Sequence, residues 1–82
     1  MNRRLNDEER EKLITENLRL VHYLVRKLNV PDSDYDDVVS VGTLGLIKAA
    51  QTFDPSKEIK FSTYSSRCIS NEIFMYFRRE KE

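Results

Sequence analysis

The residues best suited to chemistry lie near the end of the chain, in the stretch K-F-S-T-Y-S-S-R-C-I-S-N-E-I-F-M-Y-F-R-R at positions 60–79. On a helix, one mixed stripe of this stretch contains Tyr64, Arg67, Cys68, Asn71 and Met75, with Lys60 and Phe61 before it and Arg78 and Arg79 after it. Aromatic rings stack on unpaired bases at about 1–3 kcal/mol per base, and flanking cations hold phosphates. The stripe therefore favours nucleic acid whose bases can be reached. An amphipathic helix with ordinary surface on this side is the alternative that the stretch alone leaves open.

A helix is needed to position these groups, and the same stretch supplies its buried side. Steps of three and four residues connect a set suited to a core, namely Ser65, Ile69, Ile73, Tyr76 and Phe77. Ser62 or Thr63 precedes a run without Gly or Pro, so either residue could cap the helix N-terminus. The spacing thus predicts a third main helix that starts at about this point.

A second main helix is predicted after the acidic segment, the residues Asp32, Asp34, Asp36 and Asp37. Ser33 or Asp34 would cap it, and it would end near Phe53, ahead of Asp54 and Pro55. Its expected core face consists of Val39, Gly42, Leu46, Ala49 and Phe53. Gly42 and Gly45 each lower helix propensity by about 1 kcal/mol, which suggests a close approach of another backbone.

The other side of this second helix is also largely apolar, with Val41, Leu44 and Ile47 among Ser40, Thr43 and Lys48. A helix that is apolar nearly all round requires partners on several sides, and an 82-residue domain cannot surround it. We therefore expect an intermolecular contact surface here, beginning at the acidic segment. Self-packing with a few exposed aliphatic side chains is the alternative.

The first helical signal begins at Asn6, which forms a predicted capping box with Glu9. Apolar residues then recur at helical spacing up to Leu28, and we favour one long or slightly broken helix over two helices separated near residues 15–17. His22 lies within the apolar part and is expected to be packed or hydrogen-bonded. Pro31 ends this helical region.

Composition narrows the class of protein. The 82 residues have no net charge, one cysteine and one histidine, so we expect one small domain without an internal disulfide, metal site or cofactor. No apolar run reaches the roughly 20 residues of a membrane span, and no signal peptide is apparent, which predicts a cytoplasmic protein.

The charges are unevenly distributed along the sequence. The range from Lys57 to Lys81 contains six basic and three acidic residues, while the acidic segment lies elsewhere. Two surfaces of opposite sign suggest two different partners, and an ordinary solvated charge pattern is the simpler alternative.

An enzyme is disfavoured, because the sequence has no Gly-rich phosphate loop, nucleophile elbow or paired metal ligands. A helix-turn-helix reader of duplex DNA is a stronger rival, although the connection at residues 54–59 is long for that motif. A helical protein-interaction module that uses only the second helix is the remaining alternative.

The joined motifs resemble a known family. The stretch D-D-V-V-S-V-G-T-L-G-L-I-K-A-A-Q-T-F-D, followed by K-F-S-T-Y-S-S-R-C-I-S-N-E-I, resembles the second conserved region of bacterial RNA polymerase sigma factors, and N-L-R-L-V-H-Y-L-V fits its opening helix. The version R-C-I-x-N-E-I-x-M-Y-x-R-R is similar to the sporulation sigma factors of the mother cell. The resemblance extends from about Asp7 to Arg79 and implies an all-α bundle of three main helices that is not an enzyme. We expect residues 1–82 to form this one domain.

In that family the second helix docks on a coiled coil of the largest subunit of the polymerase core. The matching positions are Asp37, Ser40, Val41, Thr43, Leu44 and Ile47. The third helix reads and melts the promoter minus-ten element by taking non-template bases out of the stack. The matching positions are Lys60, Phe61, Thr63, Tyr64, Arg67, Cys68, Asn71 and Arg78. The resemblance implies stacking by Tyr64 and Phe61 and no membrane or small-molecule partner. It leaves open whether an anti-sigma protein covers the docking face.

Two departures qualify the resemblance. Housekeeping members carry a Trp pair where this chain has Arg67 and Cys68, which predicts weaker spontaneous melting and a different minus-ten preference. They also carry Gln-Glu in place of Ser40 and Val41, so this docking face is more apolar. The later sigma regions are missing from the sequence, and we expect a fragment, with a naturally short sigma factor as the alternative.

Overall fold

The structure is a computed structural model that describes residues 5–80, apart from the side chain of Glu80. This part of the chain forms the helices α1 (Asp7–Glu16), α2 (Leu18–Lys27), α3 (Tyr35–Thr52) and α4 (Phe61–Glu80), with a short 3₁₀ helix (Asp32–Asp34) ahead of α3. No strand occurs among these residues, so the predicted all-α class is confirmed. The chain start, used in the signal-peptide prediction, and Lys81, counted in the basic excess, lie outside the described residues.

The first helical region is broken into two helices at Asn17, which fits the expectation of one long or slightly broken helix and places the break within residues 15–17. The capping box that opens α1 is confirmed, since Asn6 Oδ1 accepts from the Glu9 backbone N–H at 2.8 Å and Glu9 Oε1 accepts from the Asn6 N–H at 3.0 Å. Asn17 leaves helical geometry, with φ −113° and ψ 11°, while its side-chain amide donates to the Leu13 carbonyl at 2.7 Å. An Asn side chain that satisfies the helix in this way lets the backbone turn without leaving that carbonyl unpaired.

The turn between α2 and α3 relies on Asn29, whose φ of 54° lies in the left-handed region that Asn tolerates better than most residues. Across this turn, His22 Nδ1 lies 3.1 Å from the Tyr35 hydroxyl. The expectation that His22 is a hydrogen-bonded structural residue is therefore confirmed.

The core lies where α2 and α4 pack against α3 and against each other. Gly45 brings α3 against the backbone of α4, because a Cβ atom at this position would lie 2.8 Å from both the Cys68 carbonyl oxygen and Ile69 Cα. Gly42 faces side chains instead, with the closest atom, Val21 Cγ1, at 2.8 Å from such a Cβ. The predicted close backbone approach is thus confirmed at Gly45.

The buried set differs in part from the predicted one. The fully or nearly fully buried apolar residues are Leu5, Val21, Val25, Val38, Leu46, Ala49, Ala50, Phe61, Ile69 and Ile73. Val38 and Ala50 were not predicted for the core face of α3, whereas Val39 and Phe53 are half-buried against it. On α4 the predicted face of Ser65, Ile69 and Ile73 is confirmed.

Candidate nucleic-acid and protein-binding surfaces

The outward side of α4 carries a continuous exposed stripe, which we call the α4 stripe. Its exposed members are Thr63, Arg67, Asn71, Phe74 and Arg78, and the exposed Lys60 directly precedes the helix. At 3.6 residues per turn these five helical positions fall within about 80° of the helix circumference. Two arginines, an amide and a ring therefore share one solvent-facing strip about four turns long.

Phe74 is a member of this stripe that the sequence interpretation missed. Its side chain is 55% exposed, which is unusual for a ring in a domain with so small a core. The spacing of Arg67, Asn71, Phe74 and Arg78 in steps of four, three and four could have revealed it. Helical spacing places Met75 on the predicted stripe instead, but Met75 is half-buried at its border.

Phe61 is not where it was predicted. It is only 8% exposed, and its ring packs edge-on against Phe53 with centroids 5.2 Å apart. The reason is that α4 starts at Phe61 and not at Ser62 or Thr63, which makes Phe61 the first member of the buried face that continues through Ser65 and Ile69. Phe61 therefore stabilises the start of α4 as a core residue, and neither face of its ring is open to a base.

Tyr64 lies at the edge of the α4 stripe and is half-buried. Its ring packs against Phe53 with centroids 5.8 Å apart, and its hydroxyl lies 2.6 Å from Thr52 Oγ1 at the end of α3. One side of the ring is thus supported by the protein, and the ring remains partly open to solvent.

Cys68 and Asn71 complete the predicted set on α4. Cys68 is a half-buried free thiol, and its backbone carbonyl is the atom on which Gly45 packs. Asn71 is exposed, with its Nδ2 4.0 Å from Met75 Sδ. The amide of Asn71 is therefore available for hydrogen bonding to a ligand, while Cys68 lies at the boundary with α3.

The outward side of α3, which we call the α3 face, contains the predicted docking residues in varied degrees of exposure. Asp37, Ser40 and Leu44 are exposed, and Leu44 retains 48% of its accessible surface. Thr43 and Ile47 are half-buried, and the Thr43 hydroxyl donates to the Val39 carbonyl at 2.8 Å.

Val41 departs from the expectation that it belongs to the outward surface. It is half-buried and packs against the core, because its position on α3 turns toward the packed side of the bundle. The apolar part of the α3 face is therefore centred on Leu44, with Ile47 beside it.

A charged pair lies between the two surfaces. Lys48 on α3 forms a salt bridge with Glu72 on α4, and the Glu72 side chain is only 11% exposed whereas that of Lys48 is 53% exposed. A nearly buried carboxylate requires such a partner, so this pair fixes the relative placement of the two helices. Sequence periodicity did not indicate it, because the residues are far apart in the chain.

The connection before α4 is held by Asp54, whose carboxylate accepts from the Ser56 hydroxyl at 2.6 Å and from the Ser56 backbone N–H at 2.9 Å. These hydrogen bonds favour the ionised form and, with nearby Lys57, hold the pKa of Asp54 below its ordinary value. The turn thereby positions the start of α4 and the exposed Lys60.

Two other kinds of site do not occur in residues 5–80. No group of three or more His, Cys, Asp or Glu side chains is arranged to hold a metal ion there. Nor does any helix in this range combine the length and the hydropathy needed to cross a membrane.

Comparison with known proteins identifies the relatives of this sequence. Residues 13–82 match the family model described as Sigma-70 region 2. The whole chain aligns at 52% identity with 36% of the RNA polymerase sigma-E factor of Clostridium acetobutylicum. Over 87% of its length the chain is 45% identical to the RNA polymerase sigma-28 factor of Bacillus thuringiensis subsp. kurstaki, and it covers 30% of that protein. Over 83% of its length it is 43% identical to the RNA polymerase sigma-K factor of Bacillus subtilis, and it covers 23% of that protein.

The chain thus spans about a quarter to a third of the length of these curated relatives. The resemblance seen in the motifs, including its sporulation-type character, is confirmed by these matches.

Proposed function

The chain belongs to the Sigma-70 region 2 family, and we therefore propose that it is the sigma-factor module that binds core RNA polymerase and recognises and melts the promoter minus-ten element. We extend the proposal to promoters of sporulation genes, because the relatives include sigma-E and sigma-K factors. The module would act with the polymerase in the cytoplasm, as a binding factor and not as an enzyme, and would comprise residues 1–82.

The observation that carries the DNA part of this proposal is the exposed α4 stripe with Tyr64 at its edge. Arg67 and Arg78 suit phosphates or base edges, and Thr63 and Asn71 offer hydrogen bonds. Tyr64 and the exposed Phe74 offer ring faces for unpaired bases. Stacking groups beside cations fit an opened strand better than the outside of a closed duplex.

The polymerase part of the proposal rests on the α3 face. Leu44 is an exposed aliphatic side chain next to the exposed Ser40, and Asp37 supplies a negative charge at the N-terminal end of the same face. An apolar centre with a charged rim is the usual composition of a protein interface. We propose that this face docks on the coiled coil of the largest core subunit.

The DNA proposal is tested by comparing a labelled single strand of about 12 nucleotides, rich in adenine and thymine, with its duplex. We expect the chain to bind the single strand more tightly, and Tyr64→Ala to weaken this binding about tenfold through loss of stacking. Tyr23→Ala is the matched control, because Tyr23 is a 55% exposed tyrosine on α2 outside the stripe. Preference for the duplex, or equal binding by Tyr64→Ala, would favour a helix-turn-helix reader.

The docking proposal is tested by titrating the chain with the isolated coiled-coil fragment of the core subunit. Reversing the charge with Asp37→Lys should weaken binding at least several-fold. Glu11→Lys makes the same charge change at an exposed position of α1 and should leave the affinity within about twofold. Absence of binding by the unmodified chain would refute docking, and a chain that bound only a protein partner would indicate an interaction module.

One sequence feature limits the expected strength of melting. Arg67 and Cys68 stand where housekeeping members have a Trp pair, so this module has one stacking wedge fewer. We propose that it opens promoters weakly by itself and relies on the rest of the polymerase complex.

A further inference from the structure

Thr52, the last residue of α3, belongs to neither of the two proposed binding surfaces, yet its hydroxyl contacts the ring that we propose to stack on DNA. Thr52 Oγ1 is 2.6 Å from the Tyr64 hydroxyl and 2.9 Å from the Lys48 carbonyl oxygen, to which it donates. A threonine hydroxyl has a single proton. Since that proton goes to the Lys48 carbonyl, the Tyr64 hydroxyl must donate to Thr52.

This bond joins the ring to a helix other than its own. Tyr64 belongs to the first turn of α4, and Thr52 to the last turn of α3. Phe53 supports one side of the ring at a centroid distance of 5.8 Å and is itself packed against the buried Phe61. Tyr64 is therefore fixed at its tip by a hydrogen bond and along its side by a packed aromatic pair.

A ring held in this way loses little conformational freedom when a base stacks on it. Ordering a free side chain at an interface has an entropic cost, and a ring fixed in advance avoids much of that cost. The Tyr64 oxygen also keeps its acceptor lone pairs, because it acts as the donor toward Thr52.

We propose that Thr52 is a positioning residue that holds the Tyr64 ring in the orientation needed to stack on an unpaired base. This inference rests on the proposed function, in which Tyr64 is the stacking residue. It adds a specific contribution from α3, the helix assigned to polymerase docking, to the recognition of the opened strand by α4.

The test measures binding of the 82-residue chain to the same adenine- and thymine-rich single strand of about 12 nucleotides. Thr52→Val keeps the branched shape and removes the hydroxyl, and we expect it to weaken single-strand binding about fivefold, because the freed ring must then be ordered when the base stacks on it. Thr52→Ser keeps the hydroxyl and should restore binding to within about twofold of the unmodified chain. Thr15→Val is the matched control, because Thr15 makes the same bond to the carbonyl four residues earlier but lies on α1.

A double-mutant cycle separates positioning from a general effect on the fold. Tyr64→Phe removes the same hydrogen bond from the other side, so adding Thr52→Val to it should produce no further loss. Thermal unfolding of each variant, followed by circular dichroism, should show similar melting temperatures for Thr52→Val and Thr15→Val.

The possible outcomes lead to different conclusions. If the unmodified chain binds the single strand and Thr52→Val binds equally well or more tightly, Thr52 does not position Tyr64, although the proposed function stands. If Thr52→Val weakens binding by the same factor with and without the Tyr64→Phe substitution, its effect does not pass through the hydroxyl pair and the proposal is overturned. If the unmodified chain shows no single-strand binding, the proposed function and this inference both fail.

Discussion

Phe61 and Tyr64 lie three residues apart on α4, but the two rings have different environments. Phe61 is 8% exposed and packs against Phe53, whereas Tyr64 is half-buried with its hydroxyl on Thr52. Both were predicted to stack on bases, since the sequence shows only two aromatic residues near a helix start. The structure separates them because the helix begins at Phe61 and turns this ring into the core.

A stability measurement tests the assignment of Phe61 to the core. Phe61→Ala should reduce the free energy of unfolding by about 3–5 kcal/mol, the usual cost of removing a buried phenylalanine ring. Urea denaturation followed by circular dichroism gives this value. Phe74→Ala is the control, because Phe74 is 55% exposed and its removal should change stability by less than about 1 kcal/mol. If Phe61→Ala changed stability only slightly and abolished single-strand binding, Phe61 would be a residue that stacks on a base and not a core residue.

The packing of α3 on α4 is the element-level feature that positions both surfaces. Gly45 permits the close approach of the two helices, and the Lys48–Glu72 salt bridge lies beside it. These contacts place the α3 face and the α4 stripe on neighbouring helices with a fixed relationship.

Substitution of the two glycines tests this packing. At Gly45 an added methyl group meets backbone atoms of α4 at 2.8 Å, and backbone cannot rotate away. We expect Gly45→Ala to destabilise the protein by about 1–3 kcal/mol despite the gain of roughly 1 kcal/mol in helix propensity. Gly42→Ala meets the side chains of Val21 and Ile69 and should cost less. Chemical denaturation of both variants gives their free energies of unfolding. A Gly45→Ala variant more stable than the unmodified chain would contradict the close backbone contact.

The hydrogen bonds of Asp54 in the turn before α4 predict how the stability of the protein depends on pH. Because hydrogen bonds from Ser56 lower the pKa of Asp54 in the folded state, the stabilisation by this group is present above the pKa of an unfolded aspartate. It is lost as the pH falls toward the lower, folded pKa. Titration of the Asp54 carboxyl by NMR should give a midpoint below that of a model aspartate, and Ser56→Ala should raise it. A midpoint that is the same in both proteins would show that the Ser56 hydroxyl does not stabilise the carboxylate.

The sequence predicted the helices well where periodicity extends over several turns. The core face of α4 and the outward position of Leu44 followed from spacing alone, because a helix repeats its environment every three to four residues. A break near Asn17 was one of the alternatives, but spacing could not decide between it and a continuous helix, since the break depends on a single side chain that replaces a backbone bond. The contacts of Thr52 with Tyr64 and of Lys48 with Glu72 join different helices, and periodicity carries no information about their relative placement.

At the scale of the whole molecule, the shape of the bundle explains why α3 and α4 each keep one side exposed to solvent. The structure measures 20 Å along its shortest dimension, about two helix diameters. In so thin a bundle, α3 and α4 can bury one side each and must leave the other side toward solvent. The absence of net charge does not oppose DNA binding, since the cations of the α4 stripe and the acidic segment that precedes and opens α3 belong to different helical elements.

We propose that the α3 face and the α4 stripe bind their two different partners at the same time. The most direct measurement is the fluorescence anisotropy of the labelled single strand, bound to the chain, as the coiled-coil fragment of the polymerase core is added. We predict that the DNA stays bound and that the anisotropy rises further as a three-component complex forms. A fall of the anisotropy to the value of free DNA would mean that the two partners compete for one surface, and would contradict the claim.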